Sequence, residues 1–207
     1  MTTEETLISL LRVKGFGKAE VLVEALDLPA EAIEADLAEL VGKGLAEATR
    51  VGARLTANGR ALALEASERE RAGLDPRRAE AEYEKFTPLN AAFKVLVTDW
   101  QMRTLDDKTT RNDHKDEAYD AAVLARLPPI DAATAVVIGE IAAFAPRFAP
   151  YKRRLANALA KTQAGDHRYL TAPDRDSYHT VWFELHQDLI GLIGTTREKE
   201  AAAGRAL

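Results

Sequence analysis

The sequence predicts a mainly α-helical protein in which one small two-stranded hairpin interrupts the helices near the N-terminus. Apolar residues recur at three- and four-residue spacing through most of the 207 residues, which is the period of helices that bury one face. Only residues 45–55 are typical of two short extended segments, and these meet at a glycine. Proline and glycine separate the remaining helical stretches.

The first 44 residues predict three short helices. Thr2 or Thr3 is suited to an N-cap, and Glu4 and Glu5 would follow it in the first turn, where acidic side chains are favoured. A second helix is expected over residues 18–26, followed by a turn at Pro29. Apolar residues at helical spacing predict the third helix, which should end at the glycines of residues 42–44. Those apolar residues are Ile33, Leu37, Leu40 and Val41.

The segment that follows the hairpin carries the clearest motif. Residues 55–60 read Leu-Thr-Ala-Asn-Gly-Arg, which is similar to the "L-T-x-x-G-R" that closes the wing in MarR-like and related bacterial regulators. With the three helices and the hairpin, residues 1–66 resemble a winged helix-turn-helix domain. The resemblance implies a transcription regulator that binds operator DNA as a dimer. Half-site spacing on DNA is then set by the geometry of that dimer.

The charge of the third helix does not match this expectation well. Its outward positions carry Glu31, Glu34, Asp36 and Glu39, whereas DNA phosphates and base edges require cations and hydrogen-bond donors. Residues 1–66 contain 11 acidic and 7 basic residues. DNA contacts would therefore depend mostly on the wing and on scattered cations. The predicted DNA-binding residues are Lys14, Lys18, Lys43, Arg50, Arg54 and Arg60.

The amino-acid composition excludes several kinds of site and of binding partner. The chain has no cysteine, which excludes disulfides and thiolate metal sites, and its net charge of -5 gives no general attraction to nucleic acid or anionic membranes. We expect no apolar run to approach the ~20 residues of a membrane span, and no secretion pattern is visible. The expected location is the cytoplasm. No cofactor, no metal ion and no catalytic residue is predicted.

The rest of the chain predicts a linker and a helical domain. Residues 67–86 are rich in Glu and Arg and should form a linker region, with Asp75 and Pro76 starting a new helix. Residues 87–207 should form an α-helical effector and dimerisation domain. Its first helix would carry an apolar stripe that ends with Trp100 and Arg103. A polar connection at residues 106–112 would then cap a helix running from about Asp113 to Leu127.

The helices that follow are predicted from their prolines and aspartates. Pro128 and Pro129 should end the preceding helix, and Asp131 should cap a helix that reaches about Phe144. Another helix should open at Ala149–Pro150. The segment 173–176 should start a long last helix that runs through Ile193.

This last helix presents an unusually wide apolar face, with His179 and His186 on its flank. As zinc ligands they are badly spaced, because seven residues span about 10 Å of helix and paired helical ligands are usually four residues apart. As catalytic bases they lack a recognisable nucleophile. They could be core residues satisfied by hydrogen bonds, or they could line a pocket for a small apolar or aromatic effector. The predicted ligand-binding residues are Trp100, Arg103, His114, His179, Trp182, Phe183 and His186.

Arg103 is relevant to the predicted pocket, because a guanidinium on an apolar helix face must be paired with a negative group. Asp99, Asp113 or Asp116 could be its partner, and so could the carboxylate or phosphate of a ligand.

Two functions from different classes follow. One is a ligand-responsive winged-helix regulator, a homodimer on DNA and not an enzyme. The other is an accessory protein without DNA binding, whose acidic winged helix docks a protein partner. The segment 166–190 resembles helical regions of uncharacterised bacterial proteins with a winged-helix front end. Some of those occur near phosphoenolpyruvate-utilising phosphotransferases, so such an enzyme is one partner this resemblance implies.

Overall fold

The computed structural model describes residues 3–50, 52–105 and 108–195, together with Lys199 and Ala202. It confirms a mainly helical chain, and the described residues also form two small antiparallel sheets. The helices are α1 Thr3–Lys14, α2 Ala19–Leu26, α3 Ala30–Gly42, α4 Ala57–Ala72, α5 Pro76–Gln101, α6 Glu117–Leu124, α7 Leu127–Ala142, α8 Ala149–Gln163, α9 Arg168–Thr171 and α10 Tyr178–Ile193. The strands are β1 Ala46–Thr49, β2 Gly52–Leu55, β3 Met102–Leu105 and β4 Lys108–Arg111.

The first three helices and the first hairpin enclose one hydrophobic cluster. Leu7, Leu22, Ile33 and Leu40 are fully buried in it. The hairpin pairs β1 with β2 in the register Ala46↔Leu55. A third backbone segment extends this sheet, because Gly17 exchanges two 2.9 Å hydrogen bonds with Ala53. The predicted cap at Thr2 lies outside the described residues, and α1 begins at Thr3.

Residues 55–60 are held by contacts within the fold. Thr56 caps α4, because its hydroxyl oxygen accepts a hydrogen bond from the Gly59 amide and its hydroxyl donates to the Gly44 carbonyl. Arg60 donates through Nη1 to the Leu55 carbonyl at 2.8 Å. A Cβ atom at Gly59 would lie 1.9 Å from the Leu45 carbonyl oxygen, so only glycine lets α4 approach the hairpin this closely. Thr56, Gly59 and Arg60 therefore each have a structural role.

Replacing this glycine should cost stability because of the backbone clash. We expect Gly59→Ala to lower the free energy of unfolding by about 1–3 kcal/mol, the usual cost of overpacking. Gly42→Ala is the matched control, because a Cβ at Gly42 meets nothing within 4 Å. That control should be neutral or slightly stabilising, since alanine is the better helix former. Urea denaturation of both variants checks the prediction, and equal stabilities would contradict it.

The second hairpin was not predicted from the sequence. Its strands pair in the register Met102↔Arg111, and Thr104 and Thr109 face each other with hydroxyl oxygens 3.1 Å apart. The strands are mostly exposed, so they lack the alternation of buried and exposed residues that identifies a strand. The expectation that only the wing has strands is therefore wrong. The predicted position of Arg103 is also wrong, because Arg103 lies in β3 and not on the apolar stripe of α5.

The helix boundaries around Asp113 and Pro128 also differ from the expected ones. Asp116 caps α6, accepting a hydrogen bond from the Tyr119 amide, so the helix starts later than Asp113. The two prolines lie in the first turn of α7, where missing amide protons cost nothing, and they begin that helix instead of ending the previous one. Asp131 lies inside α7 and accepts a hydrogen bond from the Tyr178 hydroxyl.

The long last helix is confirmed, with a later start than expected. Ser177 is its N-cap and accepts a hydrogen bond from the Thr180 amide. The short helix α9 precedes it. Around α10, which contributes Trp182, the second hydrophobic cluster gathers buried residues of the segments from α5 to α9, among them Phe86, Phe93 and Phe148.

Two buried charge clusters join the N-terminal helices to α8 and α10. The first cluster contains Lys14, Arg154, Asp176 and Glu184, whose side chains are at most 4% exposed. Lys14 Nζ lies 3.0 Å from Asp176 and 2.7 Å from Glu184. Arg154 lies 2.6 Å from each of the same two carboxylates. Two cations therefore balance two carboxylates with no charge left over.

The second cluster centres on Asp188 of α10. Its carboxylate is bound by Arg12 of α1, by Arg147 at 2.6 Å and by the Tyr151 hydroxyl at 2.8 Å. Arg147 also pairs with Glu70 at 2.5 Å, which brings α4 into the cluster. Burial and the nearby carboxylates raise the pKa of Tyr151, so its hydroxyl stays a proton donor.

Removing one cation from the first cluster should destabilise the protein strongly. Lys14→Met leaves two buried carboxylates with one guanidinium, and breaking a buried ion pair from one side costs about 3–5 kcal/mol. Lys18→Met removes the same charge from an exposed position and should change the free energy of unfolding by about 0.5 kcal/mol or less. Urea denaturation of both variants measures the difference. Similar small losses would show that the cluster is not needed.

Candidate functional site

The outward face of α3 is acidic and has small residues at its centre. Ile33 and Leu40 turn inward, which leaves Glu31, Glu34 and Glu39 exposed. The exposed residues between them are Ala32, Ala35, Ala38 and Gly42, with Val41 40% exposed at the end. Small side chains flanked by carboxylates allow another backbone to approach closely while attracting positive charge.

The six cations predicted to bind DNA do not form a common basic surface. Lys14 is buried in the first charge cluster. Lys43 lies beside Glu4 and Glu39, at 2.6 and 2.8 Å, and hydrogen bonds to these two carboxylates raise its pKa. Arg54 pairs with Glu47 across the hairpin at 2.6 Å. Arg60 is bound to the Leu55 carbonyl. Within the described part of the chain, only Lys18 and Arg50 of the six are exposed without an ion pair or a hydrogen bond to their side chains.

The seven residues predicted to bind a ligand lie in several places. Trp182 and His186 are inside the C-terminal core, and His179 is half-buried beside Phe93. Trp100 and His114 form a separate cluster at the far end of α5. Arg103 pairs with Asp116 at 2.5 Å, which was one of the partners considered from the sequence. The structure therefore does not bring the seven side chains together into one pocket.

The aromatic residues of α10 are packed against other rings. The Trp182 indole lies 4.5 Å from the Phe93 ring and 5.1 Å from the Phe86 ring, centroid to centroid, and donates a 2.9 Å hydrogen bond to Asn90. His186 Nε2 lies 3.1 Å from the Tyr83 hydroxyl oxygen. His186 is thus the hydrogen-bonded core histidine that was one alternative from the sequence.

Phe183 lines a different cleft, at the joint between the N-terminal helices and α10. This cleft has a volume of about 380 Å³ and is mainly apolar. Phe16, which is 51% exposed, and Pro173 also line this cleft. Lys14 and Glu184 form part of the lining, so the cleft borders the first charge cluster.

His114 belongs to a hydrogen-bonded group that also includes Asn112 and Asp120. His114 Nδ1 lies 2.9 Å from one Asp120 oxygen, and Asn112 donates to the other at 2.8 Å. The His114 ring lies 4.4 Å from the Trp100 ring, and His167 meets the same indole edge-on at 5.4 Å. A cleft of about 380 Å³ opens here, lined by Trp100, Asn112, His114 and Arg111.

The buried charge clusters and the Asn112–His114–Asp120 group were not identified from the sequence. Arg154 and Asp176 are 22 residues apart, and Lys14 and Glu184 are 170 apart, so no local spacing connects them. A local signal did exist for His114, since Asn, Asp and His are the non-glycine residues that most readily adopt a positive φ. They follow one another at residues 112–114, and His114 has a φ of 55°.

Two features of the described residues bear on other functions. No group of three or more His, Cys, Asp or Glu side chains within them could hold a metal ion. One stretch, Glu117–Ala142, is by length and composition apolar enough to cross a membrane, with a mean hydropathy of 1.6, contrary to the expectation from the sequence. The stretch comprises helices α6 and α7, and Ile138 and Ile141 pack into the C-terminal core. One such stretch gives no clear membrane-protein character.

Comparisons of the chain with protein-family models, curated proteins and solved structures give no match.

The half-buried His179 should make the stability of the protein depend on pH. Burial lowers its pKa from the ordinary value of 6.5. The unfolded chain then binds the proton more readily than the folded protein, so the free energy of unfolding should fall as the pH drops below about 6.5.

The measurement is urea denaturation between about pH 8 and pH 5.5, on both sides of the ordinary histidine pKa. His179→Gln should lose less stability than the wild type over this interval. His167→Gln, at an exposed histidine, should follow the wild type. Parallel curves for the wild type and His179→Gln would contradict the prediction.

Proposed function

We propose that residues 1–66 form a winged helix that serves as a protein-docking module, and that α3 binds a basic protein surface. The winged-helix assignment is supported by the order of three helices, hairpin and helix, and by Gly17 adding a third segment to the sheet. The structural role of residues 55–60 is consistent with a wing that folds without needing DNA.

The observation that carries the docking proposal is the charge of α3. In a DNA-binding winged helix this face would enter the major groove, where exposed carboxylates are repelled by phosphates. Here Glu31, Glu34 and Glu39 are exposed, and Lys43, which pairs with Glu39 and Glu4, neutralises only part of this charge. Charge complementarity favours a partner rich in lysine and arginine. The alanines and Gly42 between the carboxylates leave room for a helix of that partner.

The regulator hypothesis is less well supported, because most of its predicted cations are paired or buried. The homodimer, the small effector and the phosphoenolpyruvate-utilising partner stay predictions of the sequence analysis. Light scattering of the purified chain measures the oligomeric state directly.

The docking proposal predicts binding to a basic peptide and no binding to DNA. Fluorescence anisotropy of a labelled lysine- and arginine-rich helical peptide should show binding that weakens with salt, since exposed charges are screened beyond about 8 Å at physiological ionic strength. Glu31→Gln with Glu34→Gln should weaken this binding by roughly tenfold, about 1.4 kcal/mol for two exposed charges. Glu80→Gln with Glu84→Gln removes the same charge from exposed positions of α5 and should have little effect.

A labelled DNA duplex provides the opposing measurement. The docking proposal expects no salt-dependent binding of the duplex at low ionic strength. If the duplex binds and Arg50→Ala with Arg54→Ala removes that binding, the regulator hypothesis is correct. If both double glutamine variants weaken the binding of the peptide equally, α3 is not the docking surface.

A further inference from the structure

We propose that the cleft beside Trp100 and His114 is a binding site for a small anion carrying a phosphate or carboxylate group. The proposal is independent of the docking function of α3. It rests on the orientation of the His114 ring, on the backbone conformation at this residue and on the cation that shares the cleft.

The His114 ring is held in one orientation by buried groups. Asp120 and Asn112 are 7% and 3% exposed, and both bond to each other as well as to the histidine. The side-chain NH₂ of Asn112 also donates to the Trp100 carbonyl at 3.1 Å, which fixes the Asn112 side chain to the end of α5. Because Asp120 accepts from Nδ1, the remaining ring nitrogen, Nε2, is the one left for a ligand. It donates to an oxygen of the anion in the protonated ring and accepts from a P–OH group in the neutral ring. The side chain of His114 is 42% exposed despite this buried support.

The backbone at His114 is held in a conformation that a non-glycine residue seldom adopts. Its φ is 55°, and the Asn112 side-chain oxygen accepts a hydrogen bond from its amide. Such a left-handed residue is disfavoured in the folded chain, and residues of this kind concentrate at binding and catalytic sites. Glycine would adopt this conformation without strain. Histidine adopts a positive φ more readily than most other residues, and it adds a ring that glycine lacks.

Arg111 supplies the positive charge of the cleft. It lines the same space as His114 and Trp100, and among the described residues it pairs with no carboxylate. Guanidinium groups bind phosphate and carboxylate oxygens through paired hydrogen bonds. A cation and an oriented imidazole around a cleft of about 380 Å³ fit an anion with several oxygens, attached to a small organic group.

The two tryptophan indoles allow a test in the unmodified protein. Trp100 borders the cleft, whereas Trp182 is 0% exposed in the core and serves as an internal control. Inorganic phosphate, phenyl phosphate and benzoate are titrated separately at constant ionic strength, and the indole N–H signals are followed by ¹H–¹⁵N NMR. Trp100→Phe assigns the signals. At least one probe should shift the Trp100 signal saturably and leave the Trp182 signal in place, and the pattern over the three probes distinguishes phosphate from carboxylate recognition.

Three variants separate a binding role from a structural one. Arg111→Gln should weaken the binding of the probe by about tenfold or more, as loss of a charge-assisted contact requires. Arg77→Gln, at an exposed arginine on α5, should bind as the wild type does. His114→Gly should lose binding to the same extent as Arg111→Gln, because the ring that contacts the ligand is removed, while the relief of backbone strain offsets part of the stability lost with the Asp120 hydrogen bond.

Three results would overturn the proposal. The first is the absence of a saturable Trp100 shift with all three probes up to about 20 mM, since weaker binding would be negligible. The second is equal weakening by Arg77→Gln and Arg111→Gln, which would indicate attraction by net charge alone. The third is a His114→Gly variant that is destabilised but binds normally, which would make His114 a structural residue.

Discussion

The arrangement of this protein depends on the two buried charge clusters that attach the N-terminal helices to α10. Burying ions costs desolvation energy, and apolar residues of similar size often stabilise a protein as well or better. The clusters therefore matter chiefly for orientation. Lys14 and Arg12 can each reach their carboxylates only when α1 lies in one position against α10. A misplaced α1 would leave Asp176, Glu184 and Asp188 buried with too little positive charge.

The sequence predicted the elements whose signal is local. The three N-terminal helices, the first hairpin, the cap at Asp75 and most helices of the C-terminal part follow from apolar spacing, caps and prolines. The second hairpin was missed because its strands are mostly exposed and therefore lack alternating burial. Pro128 and Pro129 were assigned to the wrong helix, since proline marks a break without indicating on which side the helix continues.

The candidate sites were predictable only where charge on one helix sufficed. The acidic face of α3 is visible in the sequence, because its members are three to five residues apart. The ligand residues were grouped by their apolar surroundings on separate helices, and that criterion cannot tell which helices pack together. Trp100 and Trp182 both lie in the second hydrophobic cluster, yet they contact different rings at different places in it. Arg103 was misplaced because α5 ends at Gln101 and β3 begins at the next residue, Met102.

The close approach of Gly59 to Leu45 has a mechanical consequence. With no side chain between them, α4 and the first hairpin cannot rotate independently. α4 has 16 residues and, at 1.5 Å per residue, extends about 24 Å. Near its far end Glu70 is bound to Arg147. The helix α4 is thus a rigid connection between the first hairpin and the second charge cluster. A displacement of the hairpin would move Glu70 and, through Arg147, would reach Asp188.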